Sequence, residues 1–141
     1  MRHMGRGPMT RDETDAQLRR FRAHWATHGF GLWALEERAT GVFAGRAGLS
    51  WHVVWSDDPE VGWLIDPRLW GRGLATEAGE AAIRYGFETL GADRLVSICT
   101  PENLASRRVM EKLAFRRIAE RPYDEHGIPL WIHALDRPRE P

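Results

Sequence analysis

The stretch Glu60-Val-Gly-Trp-Leu-Ile65, then Asp66-Pro67, then Arg68-Leu-Trp-Gly71-Arg-Gly73-Leu-Ala-Thr76 decides how this chain folds. Val61 to Ile65 reads as a short apolar strand that stops at the Asp-Pro pair, and a helix begins near Gly73. Two glycines therefore stand between a strand and a helix N-terminus. Glycine reaches backbone conformations closed to other residues and lets an anion approach the main chain. The first amides of a helix have no partner within it, and the positive end of its dipole faces the same point. Such a turn is an anion cradle, to which Arg68 and Arg72 add charge; the bland alternative is a turn that only packs a helix on a sheet. The Walker pattern needs Gly-Lys-Ser/Thr and the dinucleotide fingerprint needs a third glycine three residues after the second. Neither fits here.

Downstream of the turn, Ala75, Ala78, Ala82, Ile83, Gly86, Phe87 and Leu90 line one helical face, and Gly91 supplies the stop. Arg94 to Thr100 reads as a strand, Asn103 caps a helix running to Leu113, and Phe115 to Arg121 and Ile128 to Leu135 read as two final strands. Upstream, Thr10-Arg-Asp-Glu13 is a capping box that opens a helix over Arg11 to His28, with Leu18, Phe21 and Trp25 at apolar spacing and Gly29 as its left-handed end. Leu32 to Glu36 and Val42 to Trp51 form a hairpin about the polar turn Glu37 to Gly41, and Ser56 to Pro59 makes a second turn. This order predicts an α+β fold: a mixed, mostly antiparallel sheet flanked by helices, with a right-handed parallel unit from Val61 to Thr100.

At 141 residues the chain suits one domain over 1–141, with 1–9 poorly ordered. Twenty basic residues balance twenty acidic ones, so no global field draws the protein to nucleic acid or an anionic membrane. Any anion must be gripped locally. The apolar runs fall far short of the ~20 residues of a bilayer crossing, and Met1 to Arg11 lacks the apolar core of a signal peptide, so a cytoplasmic location is expected. The single Cys99 lies on an expected strand and reads as a small core residue. The six histidines, His24, His28, His52 and His126 among them, show no ligand spacing, and no metal is expected.

The turn reads Arg-x-x-Gly-x-Gly after a strand. With Glu60 to Ile65, Trp70-Gly-Arg-Gly-Leu-Ala-Thr-Glu-Ala78 and Asn103-Leu-Ala-Ser106-Arg-Arg-Val-Met-Glu-Lys-Leu-Ala-Phe115, it resembles the GNAT superfamily of N-acetyltransferases in order and spacing. Together these segments look like the RimJ/RimL-type, ribosomal-protein-alanine acetyltransferase branch. The resemblance runs from about Thr10 to the C-terminus. It departs from the family at the start, where a strand and a helix normally come first and here Met1 to Gly5 looks like the tail of that helix. Either the sequence starts late or the fold has dispensed with its first strand; in both cases an open edge or a partly uncovered groove is expected, which dimerisation would cover.

The resemblance implies that acetyl-CoA donates its acetyl group to a primary amine, on a small molecule or a protein N-terminus, and leaves as CoA. It places the diphosphate on the amides around Gly71, Gly73, Leu74, Ala75 and Thr76, with Arg68 and Arg72 nearby, and Asn103 on the pantetheine arm. Arg107, Arg108 and Lys112 either meet the 3'-phosphate or are simply solvated. The arm inserts where the Val61–Ile65 strand splays from the next, and a backbone N–H near Leu64 or Ile65 faces the thioester oxygen. Glu60 is the first candidate for the base, with His52, Asp57 and Asp58 behind it. Met110 stands where many members carry a proton-donating tyrosine, so Ser106 is the candidate partner of the sulfur. Trp51 or Trp55 is expected near the acceptor and Trp63 in packing. A CoA-binding module without catalysis is the rival reading.

Overall fold

The computed structural model describes residues 9–51, 57–123 and 127–139. Helix α1, Arg11–His28, opens on the expected capping box: Thr10 Oγ1 accepts the Glu13 N–H at 3.1 Å and Glu13 Oε1 accepts the Thr10 N–H at 3.4 Å. It closes on Gly29 at φ 74°, whose N–H donates to Trp25 O. The expected apolar stripe is corrected at one position, since Leu18 is 49% exposed. The face laid on the sheet is instead Gln17, Phe21, His24 and Trp25, all half-buried. Polar bonds tie it down. Trp25 Nε1 donates to Leu32 O at 2.9 Å; His24 Nδ1 lies 2.9 Å from Phe30 O, and its Nε2 accepts the Trp51 N–H at 2.8 Å. The second bond fixes the tautomer, with the ring proton on Nδ1.

Strands β1 (Leu32–Glu36), β2 (Phe43–Ser50), β3 (Glu60–Ile65), β4 (Arg94–Cys99), β5 (Arg116–Tyr123) and β6 (Ile128–Asp136) form one sheet in the order β1-β2-β3-β4-β6-β5. All neighbouring pairs are antiparallel except β3 and β4, so the mixed, mostly antiparallel sheet is observed. The parallel pair touches at a single register position, Glu60 opposite Val96, with Val96 N–H donating to Pro59 O at 3.0 Å. One step further, the buried Ser97 Oγ donates to Val61 O at 2.8 Å. Beyond that bond the two strands part.

Helix α2, Leu74–Arg84, and helix α3, Leu104–Lys112, cover the other face. Small residues let α2 sit close: Ala78, Gly79 and Ala82 are its buried positions. The core lies between these helices and the sheet, with Leu49, Val61, Phe87, Leu95, Met110 and Leu113 in one cluster. One continuous helix to Gly91 was expected; instead Tyr85–Thr89 is a π-helical turn, with Leu90 N–H bonded to Tyr85 O at 3.1 Å. Arg137 reaches into this end, donating to Phe87 O and, at 3.1 Å, to Ala92 O. A guanidinium on those carbonyls takes the place of helical donors.

Candidate functional site

The turn between β3 and α2 is built from local bonds. Asp66 Oδ1 accepts the Arg68 N–H at 3.0 Å, which starts the short 3-10 turn Pro67–Leu69, and the Trp70 indole N–H donates back to Ile65 O at 2.9 Å. Gly71 and Gly73 follow at φ 80° and 75°. A Cβ at either would meet nothing within 4 Å, so glycine is required by conformation, not by space. The first helical bond of α2 runs from Glu77 N–H to Gly73 O, 3.0 Å. The amides of Leu74, Ala75 and Thr76 precede it, and Gly73 has no side chain to cap them. These donors open onto a groove.

Arg68 and Arg72, expected to add charge at the turn, each have an acidic partner. Arg68 makes a forked pair with Asp66, Nη2 to Oδ2 at 2.7 Å, and its hydrogen bonds hold the Asp66 carboxyl down at about 2. Arg72 Nη1 lies 3.2 Å from Glu37 Oε1. Both charges are matched inside the protein and neither side chain lines the groove. Arg107 is committed too, donating to Pro101 O at 3.2 Å with its guanidinium 4.6 Å from the Trp131 ring centroid. Arg108 and Lys112 do line the groove.

The groove has a volume of about 1210 Å³ and runs from the turn, along the parted edges of β3 and β4, to the face under α1. Alternation along β3 decides which amides meet it. Asp66 N–H donates to Ala44 O on β2 at 2.8 Å, so the N–H of Leu64, two residues back, also points to β2. The main-chain groups of Val61, Trp63 and Ile65 point the other way, as the bond from Ser97 to Val61 O requires. Of the two expected amides, Leu64 is turned away and Ile65 faces the gap. Leu64 lines the groove through its side chain.

Glu60 opens β3 on the groove, half-buried, and burial pushes its carboxyl up to about 7. Its neighbours across the sheet are Ser50 and Val96. From the far wall, Asn103 caps α3 by accepting the Ser106 N–H at 3.1 Å, and both residues line the groove with Met110, which is 1% exposed. Trp51 stands apart: 41% exposed, it packs 5.7 Å from His28 and does not line the groove. Trp63 both packs on the core and lines the groove. Asp57 and Asp58 lie off the lining, while Trp55 and His52 lie outside the described residues. Cys99 is buried in the core, and burial pushes its thiol up. Among the described residues no three His, Cys, Asp or Glu side chains gather at a metal-holding distance, and no helix is long and apolar enough to cross a membrane.

Sequence reasoning missed Ser97, buried in mid-strand, and Arg46, which reaches the groove from β2. Both depend on pairing across elements, for which a single sequence carries no local sign.

The family model for the acetyltransferase (GNAT) domain matches residues 1–116. The uncharacterized N-acetyltransferase YnaD of Bacillus subtilis is 41% identical over 58 residues, which is 41% of this chain and 34% of that protein. The chain spans between 34% and 63% of the length of the first three curated relatives it matches. An acetyltransferase structure from Agrobacterium tumefaciens superposes with a TM-score of 0.80 at 27% identity, covering 93% of this chain and 75% of that one. A Salmonella typhimurium acetyltransferase solved with acetyl-CoA shares the fold, with a TM-score of 0.72 at 22% identity over 91% of this chain and 76% of its own. With a six-stranded sheet parted between β3 and β4 and the matched domain covering most of its length, this chain belongs to the GNAT acetyltransferase family.

Proposed function

We propose that this chain binds acetyl-CoA and transfers its acetyl group to a primary amine held in the same groove. The carrying observation is that uncapped amides at the start of α2 open into a groove that continues through the gap between β3 and β4. An elongated molecule with a diphosphate at one end and a thioester at the other fits that path. Acetyl-CoA supplies an activated acyl group; the protein has to hold it, polarise it and prepare the amine.

Each task falls to named groups. Leu74, Ala75 and Thr76 N–H, framed by Gly71 and Gly73, receive the diphosphate, and Asn103 reaches the pantetheine arm. Arg108 and Lys112, which line the groove, meet the 3'-phosphate. The Ile65 N–H, on the gap side of β3, meets the carbonyl oxygen as charge grows on it, a contact whose loss costs about 3 to 4 kcal/mol where measured. Glu60 takes the proton from the ammonium, since a carboxyl raised to about 7 is matched to an amine at neutral pH. Ser106 bonds the departing sulfur, because Met110 has no proton to give. The motifs from Glu60 to Phe115 support the RimJ/RimL-like branch, with a small-molecule amine or a protein N-terminus as acceptor and the cytoplasm as location.

Met110 favours one rival, a module that binds CoA without catalysis. Mass-spectrometric detection of products from acetyl-CoA and an amine panel separates the two. Acetylated amine supports the enzyme. A thermal shift with CoA but no product from any amine supports the module.

A further inference from the structure

Arg46 is a half-buried cation with no anion beside it among the described residues. Its side chain leaves β2 on the α1 face of the sheet, the face opposite to Ala47 and Leu49, which pack under α2. There Nη1 donates to Gln17 Oε1 at 2.9 Å, and the guanidinium lies 4.8 Å from the Phe21 ring centroid. Among the described residues no carboxylate lies within ion-pair reach, and burial pushes its pKa down without an opposing charge. Buried charges are normally paired, because losing water without gaining a counter-ion costs free energy.

Arg46 lines the same groove as Glu60, together with Gln17, Phe21 and Arg20. Register places Arg46 opposite Leu64 and Ser50 opposite Glu60, so Arg46 and Glu60 emerge on one face, four residues apart along β3, or about 13 Å of strand. A guanidinium has five N–H donors, and here Gln17 engages one while the guanidinium carbon lies over the Phe21 ring. The planar fork left over matches a carboxylate in two-point contact. Arg20 adds positive potential at the same mouth, which repels polycationic acceptors.

We propose that the α1 side of the groove is an acceptor subsite for amines that also carry a carboxylate, which Arg46 binds while Gln17 and Phe21 orient the guanidinium. The inference rests on the acetyl-transfer reading and names the class of its acceptor. Initial rates with acetyl-CoA are measured for glycine, 4-aminobutyrate and 6-aminohexanoate, each beside its primary amide, and for spermidine. At least one acid is expected to exceed its amide about tenfold or more in kcat/KM, the scale of a charge-assisted pair. Arg46→Gln should erase that preference through the KM of the acid, with the KM for acetyl-CoA and the melting temperature of the CoA complex unchanged. Equal rates for acids and amides, a preference for spermidine, or equal losses for acid and amide in Arg46→Gln would overturn the subsite. Failure of acetyl transfer itself reads differently, as CoA binding with no product from any amine. The CoA-loaded protein is then titrated calorimetrically with 4-aminobutyrate: binding lost in Arg46→Gln supports the subsite, and no binding, or binding that persists, overturns it.

Discussion

The Ser97 hydroxyl donates to the carbonyl of Val61 at 2.8 Å, one step beyond the register pair Glu60 and Val96 that joins β3 to β4. The bond pins the point at which the strands part. Ser97→Ala leaves that carbonyl without its donor in a buried place, which costs about 1 to 3 kcal/mol. Urea unfolding of the variant reads the loss directly. A midpoint equal to that of the parent would show that water replaces the hydroxyl there.

Glu60 makes stability and turnover run oppositely with pH. Burial raises its carboxyl from 4.5 to about 7, so between those values the folded chain holds a proton that the unfolded chain releases. The contribution of Glu60 to stability is therefore fully favourable below 4.5 and falls as pH rises through 7. Acetylation should rise over the same limb as the carboxylate forms. Glu60→Gln is expected to melt higher than the parent at pH 8 while turning over about a hundredfold more slowly, with the limb gone. Paired thermal melts and pH–rate profiles check both halves.

At Gly71 and Gly73 the positive φ angles set a cost for any side chain. Gly71→Val or Gly73→Val forces a branched residue into the left-handed region, for about 1 to 2 kcal/mol each. Gly29, at φ 74° on the far end of α1, is the control. Gly29→Val should destabilise the protein comparably and keep the thermal shift produced by acetyl-CoA, while the two turn variants lose that shift.

Arg68 and Arg72, already paired with Asp66 and Glu37, are expected to matter little for the anion. Exposed ion pairs of this kind contribute little, so Arg68→Ala and Arg72→Ala should leave acetyl-CoA affinity within about threefold of the parent. Arg108→Ala and Lys112→Ala line the groove and should weaken it more, and should flatten its dependence on salt. Calorimetry at two ionic strengths measures all four.

The features legible in the sequence are those encoded within a few residues. The Thr10 capping box, the Gly29 stop, the Asn103 cap and the Gly71 and Gly73 turn each depend on a side chain or a φ angle acting on its own neighbourhood. Glu60 is singled out because it opens β3 beside the expected acetyl position and aligns with a glutamate common in the branch that the chain resembles. Leu18 was misplaced because two helical faces were compatible with its spacing, and contact with the sheet chose Gln17 and Phe21. Which of Leu64 and Ile65 turns its amide to the gap depends on the phase of the ladder with β2, set by Ala44, some twenty positions away. The partners of Arg72 and Arg137, 35 or more positions away, were beyond reach for the same reason, whereas Asp66 stands two positions from Arg68. A charge on one strand finds its counterpart only after folding.

With β1, β2 and β3 bonded to one another on one side and β4, β6 and β5 on the other, the sheet is two leaves stitched at Glu60 and Val96. Anything that lies along the open seam serves as a missing strand. The cofactor then belongs to the architecture as much as to the chemistry, and the two leaves should exchange their amide protons as separate bodies until it arrives and binds them into one.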